Sequence, residues 1–284
     1  ALIVAGSKRE DEDIYAKLPL MISGPEEPGL AVLELTQMGY TNLLDHIGHS
    51  RSSIRELDSG TVLDFLAELE IFTSVEETVP ARNVLGWLRG SDPILKDEVI
   101  ILGAHYDHVG DELEMRYSGA NDNASGVSIM LELARLWKRT GYQPKRSIIF
   151  AAWDAQEFGN LGSTFFSENP IIPIENTIAV VNMDGIAGGE GFNLGITGGL
   201  ETDSLLLLAT RAAGEYLEEK TTWVNETGDG DQVPFNEVGV PSVLLAWRLA
   251  NEKNLPDDFA NGVSPNRLEI AGKIVALAVM ALAQ

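Results

Sequence analysis

The side chains best suited to chemistry lie in two short stretches, Ala104-His105-Tyr106-Asp107-His108 and Gly119-Ala120-Asn121-Asp122-Asn123-Ala124-Ser125-Gly126. Imidazole and carboxylate groups brought to one crevice from successive elements suit a divalent metal. A plain strand end with a hydrogen-bonded histidine and an Asn/Asp helix cap uses the same residue types, so the rest of the chain has to decide. The chain has no cysteine, which excludes disulfides, thiolate metal sites and cysteine nucleophiles. Any metal must be held by His, Asp, Glu or weaker oxygen donors. Only four histidines are present, His46, His49, His105 and His108.

These residues need elements to position them. The apolar run Glu98-Val99-Ile100-Ile101-Leu102-Gly103 reads as a buried parallel strand. It places His105 and Asp107 at a carboxyl end, where open α/β sheets bind ligands. The second stretch leads into an amphipathic helix over residues 127–139. From Asp92 onward strands and helices alternate. Strands are predicted over 98–104, 146–153, 177–184, 221–224 and 242–247, with an edge strand over 191–197 that is free to run antiparallel. Helices are predicted over 124–140, 161–168, 202–219, near 233–238, and over 265–283. This order predicts an α/β three-layer sandwich with a mixed, mostly parallel central sheet.

Residues 1–74 read as a small N-terminal subdomain or lid, and residues 75–284 as the main domain. The first part carries short strands over 2–5 and 30–35, a turn over 24–29 and a helix over 61–69.

Two further strand ends deliver acids. One is Trp153-Asp154-Ala155-Gln156-Glu157-Phe158-Gly159, where Glu157 is expected in the same crevice as His105 and Asp122. The other is Val180-Val181-Asn182-Met183-Asp184-Gly185, which brings Asp184 to the carboxyl edge. Chance readily leaves one carboxylate at a strand end. Three successive strand ends, together with Asp122, argue for a site.

Charge narrows the partners. Acidic residues number 43 against 20 basic ones, for a net charge of −23. Nucleic acid and anionic membranes are therefore disfavoured as partners. A self-repelling soluble surface, adaptation to salt, and a preference for cationic ligands such as free amino termini all fit. No apolar stretch spans a bilayer, and the apolar run over 270–283 is too short and is broken by Lys273. No signal peptide is visible, and a first residue of Ala1 is compatible with removal of an upstream segment.

Taken together and in this order, the motifs resemble the cocatalytic zinc exopeptidase family that includes aminopeptidase Y, glutamate carboxypeptidase II, glutaminyl cyclases and the transferrin receptor ectodomain. The resemblance runs from about Val84 to the C-terminus, and Trp153 to Gly159 looks especially like the glutamate carboxypeptidase branch. It implies the zinc-aminopeptidase (phosphorylase/hydrolase-like) fold and a peptide or amino-acid-like small ligand. It also implies an extracellular or periplasmic location, and a reduced protease-associated domain within residues 1–74. By resemblance, one zinc takes His105 and Asp184, Asp122 bridges both metals, and the second zinc takes Glu157 and a histidine from a Ser-Asp-His-x-Pro-Phe motif. The acid before Glu157 is the general base, drawing a proton from metal-activated water that attacks the scissile carbonyl. Asp107 is expected to orient His105 through its other ring nitrogen.

Two positions depart from that pattern. The Glu-Glu pair reads Gln156-Glu157, and the C-terminal motif reads Gly230-Asp231-Gln232-Val233-Pro234-Phe235. No histidine follows His108, so no nearby histidine is expected to replace the one missing at Gln232. Gln keeps the reach of Glu but cannot hold a proton near neutral pH. An amide oxygen at Gln232 is a weak or vestigial metal position, better suited to calcium or magnesium than to zinc. The expectation is one zinc site, with the second weak or empty. The expected function is hydrolysis of N-terminal peptide bonds by a zinc aminopeptidase-type protein whose activity is weak or lost. Three accounts stay open. The chain is a non-catalytic pseudo-peptidase serving as a binding protein, or a mononuclear enzyme using Asp231, Asp229 or Asp107 as base, or a chain in which Gln156 has been introduced for Glu.

Other residues carry less. Ser125 and Ser163 lack the strand–Gly-x-Ser-x-Gly elbow of a serine hydrolase. Gly188-Gly189-Glu190-Gly191 reads as a hairpin turn. His46 and His49 reach a metal only if the N-terminal part folds over the crevice. Trp153 reads as core, and Trp247 and Arg248, beyond another strand end, are candidates to line a substrate pocket or to form its rim.

Overall fold

A computed structural model describes residues 2–5, 32–35, 37–50, 52–53, 56, 80–112, 115–188, 193–199, 204–226, 228–247 and 258–284. The chain divides into two compact units, Ala1–Glu77 and Thr78–Gln284. In the first, β1 (Leu2–Ala5) pairs parallel with β2 (Val32–Leu35), and α1 (Gln37–His46) follows. The turn expected over 24–29 and the helix expected over 61–69 lie outside the described residues.

The second unit is built on β4 (Val99–His105), β7 (Ser147–Trp153) and β8 (Thr177–Met183), which run parallel side by side. Every residue of β4 and of β7 is buried, as a strand covered on both faces requires. Alternation sorts their side chains. Ile100, Leu102, Ile148 and Phe150 join one core cluster, and Val99, Ile101, Ile149 and Trp153 join the other.

The first cluster lies under α2 (Ser125–Thr140), α4 (Leu205–Tyr216) and α6 (Pro265–Leu282). In α2 the buried Ile129, Met130, Leu133 and Trp137 form the apolar stripe of an amphipathic helix. The helix stops at Gly141, whose φ of 67° is left-handed. The second cluster lies under α3 (Leu161–Glu168) and α5 (Val233–Glu237), through Phe166 and Phe235. The Trp153 ring stands 5.4 Å from Phe166 and 5.7 Å from Phe235, so Trp153 is core as expected.

The full sheet has seven strands. β11 (Ser242–Ala246) runs parallel beside β8, and β9 (Leu194–Thr197) runs antiparallel beside β11. The strand expected at the edge is therefore one place inside it. β10 (Thr221–Val224) pairs parallel along the outer side of β9 and takes the edge. Burial explains the order. Leu194 and Ile196 of β9 are fully buried, whereas Thr222 and Val224 of β10 are exposed. The opposite edge is β3 (Val84–Leu88), antiparallel to β7, where no strand was expected; its exposure and Gly86 give a weak strand signal. A small antiparallel pair, β5 (Gly110–Glu112) and β6 (Met115–Tyr117), fills the connection from β4 to α2. Among the described residues, no helix is long and apolar enough to cross a membrane.

Candidate metal centre

The sheet carries β4 one residue past the expected end, so His105 is held in register beside Trp153 and is fully buried. Its Nδ1 lies 3.0 Å from the Asp107 carbonyl oxygen. A carbonyl only accepts, so Nδ1 carries the proton and Nε2 presents its lone pair. Nε2 lies 3.1 Å from Asp122 Oδ1 and 3.6 Å from Asp184 Oδ1, yet it is buried with no hydrogen bond. Four-coordinate nitrogen and oxygen ligands at about 2.0–2.1 Å from one ion stand about 3.3 Å apart. His105 Nε2 stands at about that spacing from each carboxylate, and the three ligand atoms lie within 4.8 Å of one another, a set that fits a divalent ion. Burial pushes the His105 pKa down, but Asp107, Asp122 and Asp184 outweigh it and hold it well above the usual value. The negative potential that favours a proton on His105 also favours a metal cation in its place.

The loop from Ala120 to Ala124 explains the residue types of the second motif. Asn121 Oδ1 accepts the Ala187 N–H at 2.9 Å, and Asn123 Nδ2 donates to the Met183 carbonyl at 2.8 Å. Ser125 Oγ accepts the Ile186 N–H at 3.1 Å. Those three side chains fasten the loop to the segment that follows β8. A Cβ at Gly126 would come within 2.6 Å of the Met183 carbonyl oxygen, so only glycine lets the helix start this close to the strand. The Asp122–Asn123 peptide bond is cis. Asp258, far along the sequence, accepts the backbone N–H groups of Asn121 and Asp122 at 2.8 Å each. With the backbone held this way, the Asp122 carboxylate faces the two histidines, and its atoms belong to both candidate ligand groups.

In the loop after β4, the Asp107 carboxylate has a different job from the one expected. It stands 3.6 Å from His105 Nδ1, beyond hydrogen-bonding distance, and it is the Asp107 carbonyl that orients the ring. The carboxylate accepts the Gln156 N–H at 3.0 Å and the Glu157 N–H at 3.1 Å, clamping the Gln156-Glu157 turn onto the β4 loop. Burial raises the Asp107 pKa, but His105 and those two N–H groups overcome it and leave the carboxyl below its usual value. Gln156 is half-buried in that turn, directly before Glu157. Asp154 is tied elsewhere, accepting from the Arg82 N–H at 2.6 Å and from the Tyr106 hydroxyl at 3.0 Å.

Glu157 is grouped with Asp122 and His108 rather than with His105. His108 Nδ1 stands 2.8 Å from Glu157 Oε1. No role is expected for His108 from the sequence; the loop after β4 sets it beside Glu157, three residues beyond His105. The signal was in the sequence, in the scarcity of histidines and the His-x-x-His spacing. What the spacing could not reveal was how the loop folds back.

The remaining candidates are placed as follows. Gln232 is fully buried; its amide oxygen faces Asn182 Nδ2 at 3.5 Å, and its carbonyl accepts the Ser242 hydroxyl at 2.7 Å. Asp231 is buried and receives the Ser163 hydroxyl at 2.6 Å. Burial pushes its carboxyl up to about 7, offset in part by His105 and Ser163 and reinforced by Asp184 and Asp107. Asp229 is exposed, and its carbonyl faces Asn160 Nδ2 at 3.3 Å. Trp247 is 5% exposed within the first core cluster, with the Arg267 guanidinium 5.2 Å from its ring centre. Arg248 and the turn expected at 188–191, apart from Gly188, lie outside the described residues. His46 ends α1 in the first unit, and His49 Nδ1 lies 3.4 Å from Ser53 Oγ.

Comparison with known proteins places this geometry. Aminopeptidase YwaD of Bacillus subtilis is 28% identical over 209 residues, covering 70% of this chain and 44% of that protein. A probable glutamate carboxypeptidase, VP8 of Zea mays, is 32% identical over 187 residues, covering 58% of this chain and 24% of that protein. Among solved structures, a zinc aminopeptidase from Bacillus subtilis superposes with a TM-score of 0.62 at 26% identity, over 71% of this chain and 50% of that one. The chain thus spans about half the length, or less, of these relatives. The pattern of peptidase family M28 matches residues 83–279, the whole sheet and its helices from just before β3 into α6, and the chain belongs to that family.

Proposed function

We propose that this chain hydrolyses the bond after the amino-terminal residue of peptides, with zinc held at the carboxyl ends of β4 and β8, and that Gln156 makes turnover slow. The observation that carries this reading is the convergence of His105, Asp122 and Asp184, all buried, with the His105 Nε2 lone pair aimed between two carboxylates. The family and its zinc aminopeptidase members support the metal and the reaction class. Zinc bound there supplies Lewis-acid polarisation of the scissile carbonyl and lowers the pKa of water.

The rest falls to the chain's own residues. The Asp107 carbonyl keeps the His105 proton on Nδ1, so Nε2 stays a ligand. The Asp107 carboxylate holds the backbone of Gln156 and Glu157, and in this reading that turn carries the Gln156 side chain toward the reacting groups. In that position Gln156 donates and accepts hydrogen bonds and orients water, but it cannot take up and pass on a proton. The acidic surroundings, within a chain of net charge −23, favour the ammonium group of a peptide terminus.

Gln156 also favours a second reading, in which the same scaffold binds peptide termini without turnover. The test is hydrolysis of a panel of aminoacyl chromogenic substrates with added zinc, by the chain as given and by Gln156→Glu. Slow, chelator-sensitive turnover is expected, rising roughly 10²–10⁴-fold in Gln156→Glu, the usual contribution of a general base. Zinc bound with no turnover by either protein overturns the proposal in favour of the binding reading.

A further inference from the structure

We infer that His108 is the imidazole ligand of a second metal position, completed by Asp122 and Glu157, so that the site is dinuclear despite the absence of any histidine downstream. This rests on the metal reading of His105, Asp122 and Asp184 and extends it. Three observations carry the assignment.

The ligand atoms of His108, Asp122 and Glu157 all lie within 4.8 Å of one another. The His108 and Glu157 atoms approach to 2.8 Å, yet His108 Nδ1 makes no hydrogen bond there, and Nε2 is buried without one as well. A nitrogen that close to a carboxylate oxygen and not aligned with it is oriented toward a third point. The 2.8 Å separation is shorter than the roughly 3.3 Å of two tetrahedral ligands, but the misalignment is what two groups aimed at one ion show and a hydrogen-bonded pair does not.

The loop is also shaped to seat this ring. A Cβ at Gly119 would stand 2.8 Å from both Cγ and Cδ2 of His108, and Gly119 has a φ of +67°, so glycine there leaves room for the imidazole. The donor set of one imidazole nitrogen and two carboxylates suits zinc, and a carboxylate shared by two ligand groups is the arrangement of paired metal sites. Gln232 does not compete for the role: its amide oxygen faces Asn182, and the residue is packed in the interior. Every ligand of the second position thus comes from the β4–α2 connection and the end of β7. The last third of the chain contributes the Asp258 contacts to the loop backbone and no imidazole.

The test is metal content and cobalt(II) absorption of the whole chain, with circular dichroism melting to confirm folding. The protein is expected to bind two ions. His108→Ala and Glu157→Gln are each expected to bind one tightly, with the second affinity lowered by more than about 100-fold, since loss of even an outer partner costs 10–100-fold. Gln232→Ala is expected to keep both. One ion in the unaltered chain and one in His108→Ala overturns the His108 assignment and leaves the first site standing. Loss of the second ion in Gln232→Ala but not in His108→Ala overturns it as well. No ion in any protein overturns both this inference and the zinc reading beneath it.

Discussion

The two ends of β4, β7 and β8 show opposite treatment of polar groups. At the amino ends, Arg146 Nε meets Glu98 at 2.6 Å, and its Nη1 reaches the Leu282 carbonyl at 2.9 Å and the Gln284 carbonyl at 2.6 Å. Ser147 Oγ donates to the Lys96 carbonyl at 2.6 Å and accepts the Gly90 N–H at 3.0 Å. These groups close on one another and anchor the last helix; Thr177 Oγ1, buried with no partner, is the exception. At the carboxyl ends, His105 Nε2 and both ring nitrogens of His108 are buried among carboxylates without a hydrogen bond. A buried polar group left unmade costs about 1–3 kcal/mol, so several together at one end call for a ligand. One end of the sheet holds the fold, and the other gathers the candidate ligands of a cation.

The largest test of that contrast is His105→Ala in the Gln156→Glu background. Removing the only imidazole of the first site is expected to lower hydrolysis by at least about 10³-fold, the several kcal/mol a bound ion contributes to the transition state. Metal content should fall in parallel, while the folded structure persists by circular dichroism. Unchanged metal content would mean that the carboxyl ends are not the binding end.

A smaller effect is expected from Asp231, next to the site yet held by Ser163. Its carboxyl is pushed up to about 7 in the folded chain against an ordinary 3.8. Between those values the folded state keeps a proton that the unfolded chain has released, so stability of the metal-free protein falls as pH rises from about 4 to about 7. The loss is on the order of a few kcal/mol. Asp231→Asn should flatten that slope in urea melts across the same pH range. An unaltered slope assigns the pH dependence to other groups.

The smallest expected effect lies at the other end of the sheet. Arg146→Ala removes a half-exposed ion pair and two carbonyl contacts, and should cost about 1–2 kcal/mol. The melting temperature should drop by a few degrees with metal content unchanged. Loss of metal in Arg146→Ala would break the division between the two ends.

How much of this was legible in the sequence differs from element to element. The buried strands β4, β7 and β8 were readable because both faces are covered, which makes the run continuously apolar. Their carboxyl ends then located His105, Asp122, Glu157 and Asp184. Strand β3 was not readable, because an exposed edge strand needs no such run. The sheet position of β9 was not readable either, since pairing with β11 on one side and β10 on the other depends on crossovers through intervening segments.

The sequence by itself determined the fold class and the family pattern over most of the second unit. These follow from local hydropathy and from residue types at fixed spacing. Only the tertiary structure decided the roles within the site. It gave the Asp107 carboxylate to the Gln156-Glu157 turn and its carbonyl to the His105 ring, brought Asp258 to the backbone of Asp122, and set His108 against Glu157. Apart from that carbonyl, each of these contacts joins segments from about 50 to more than 130 residues apart. No local pattern encodes such pairings; they exist because the parallel strands deliver separate loops to one edge of the sheet.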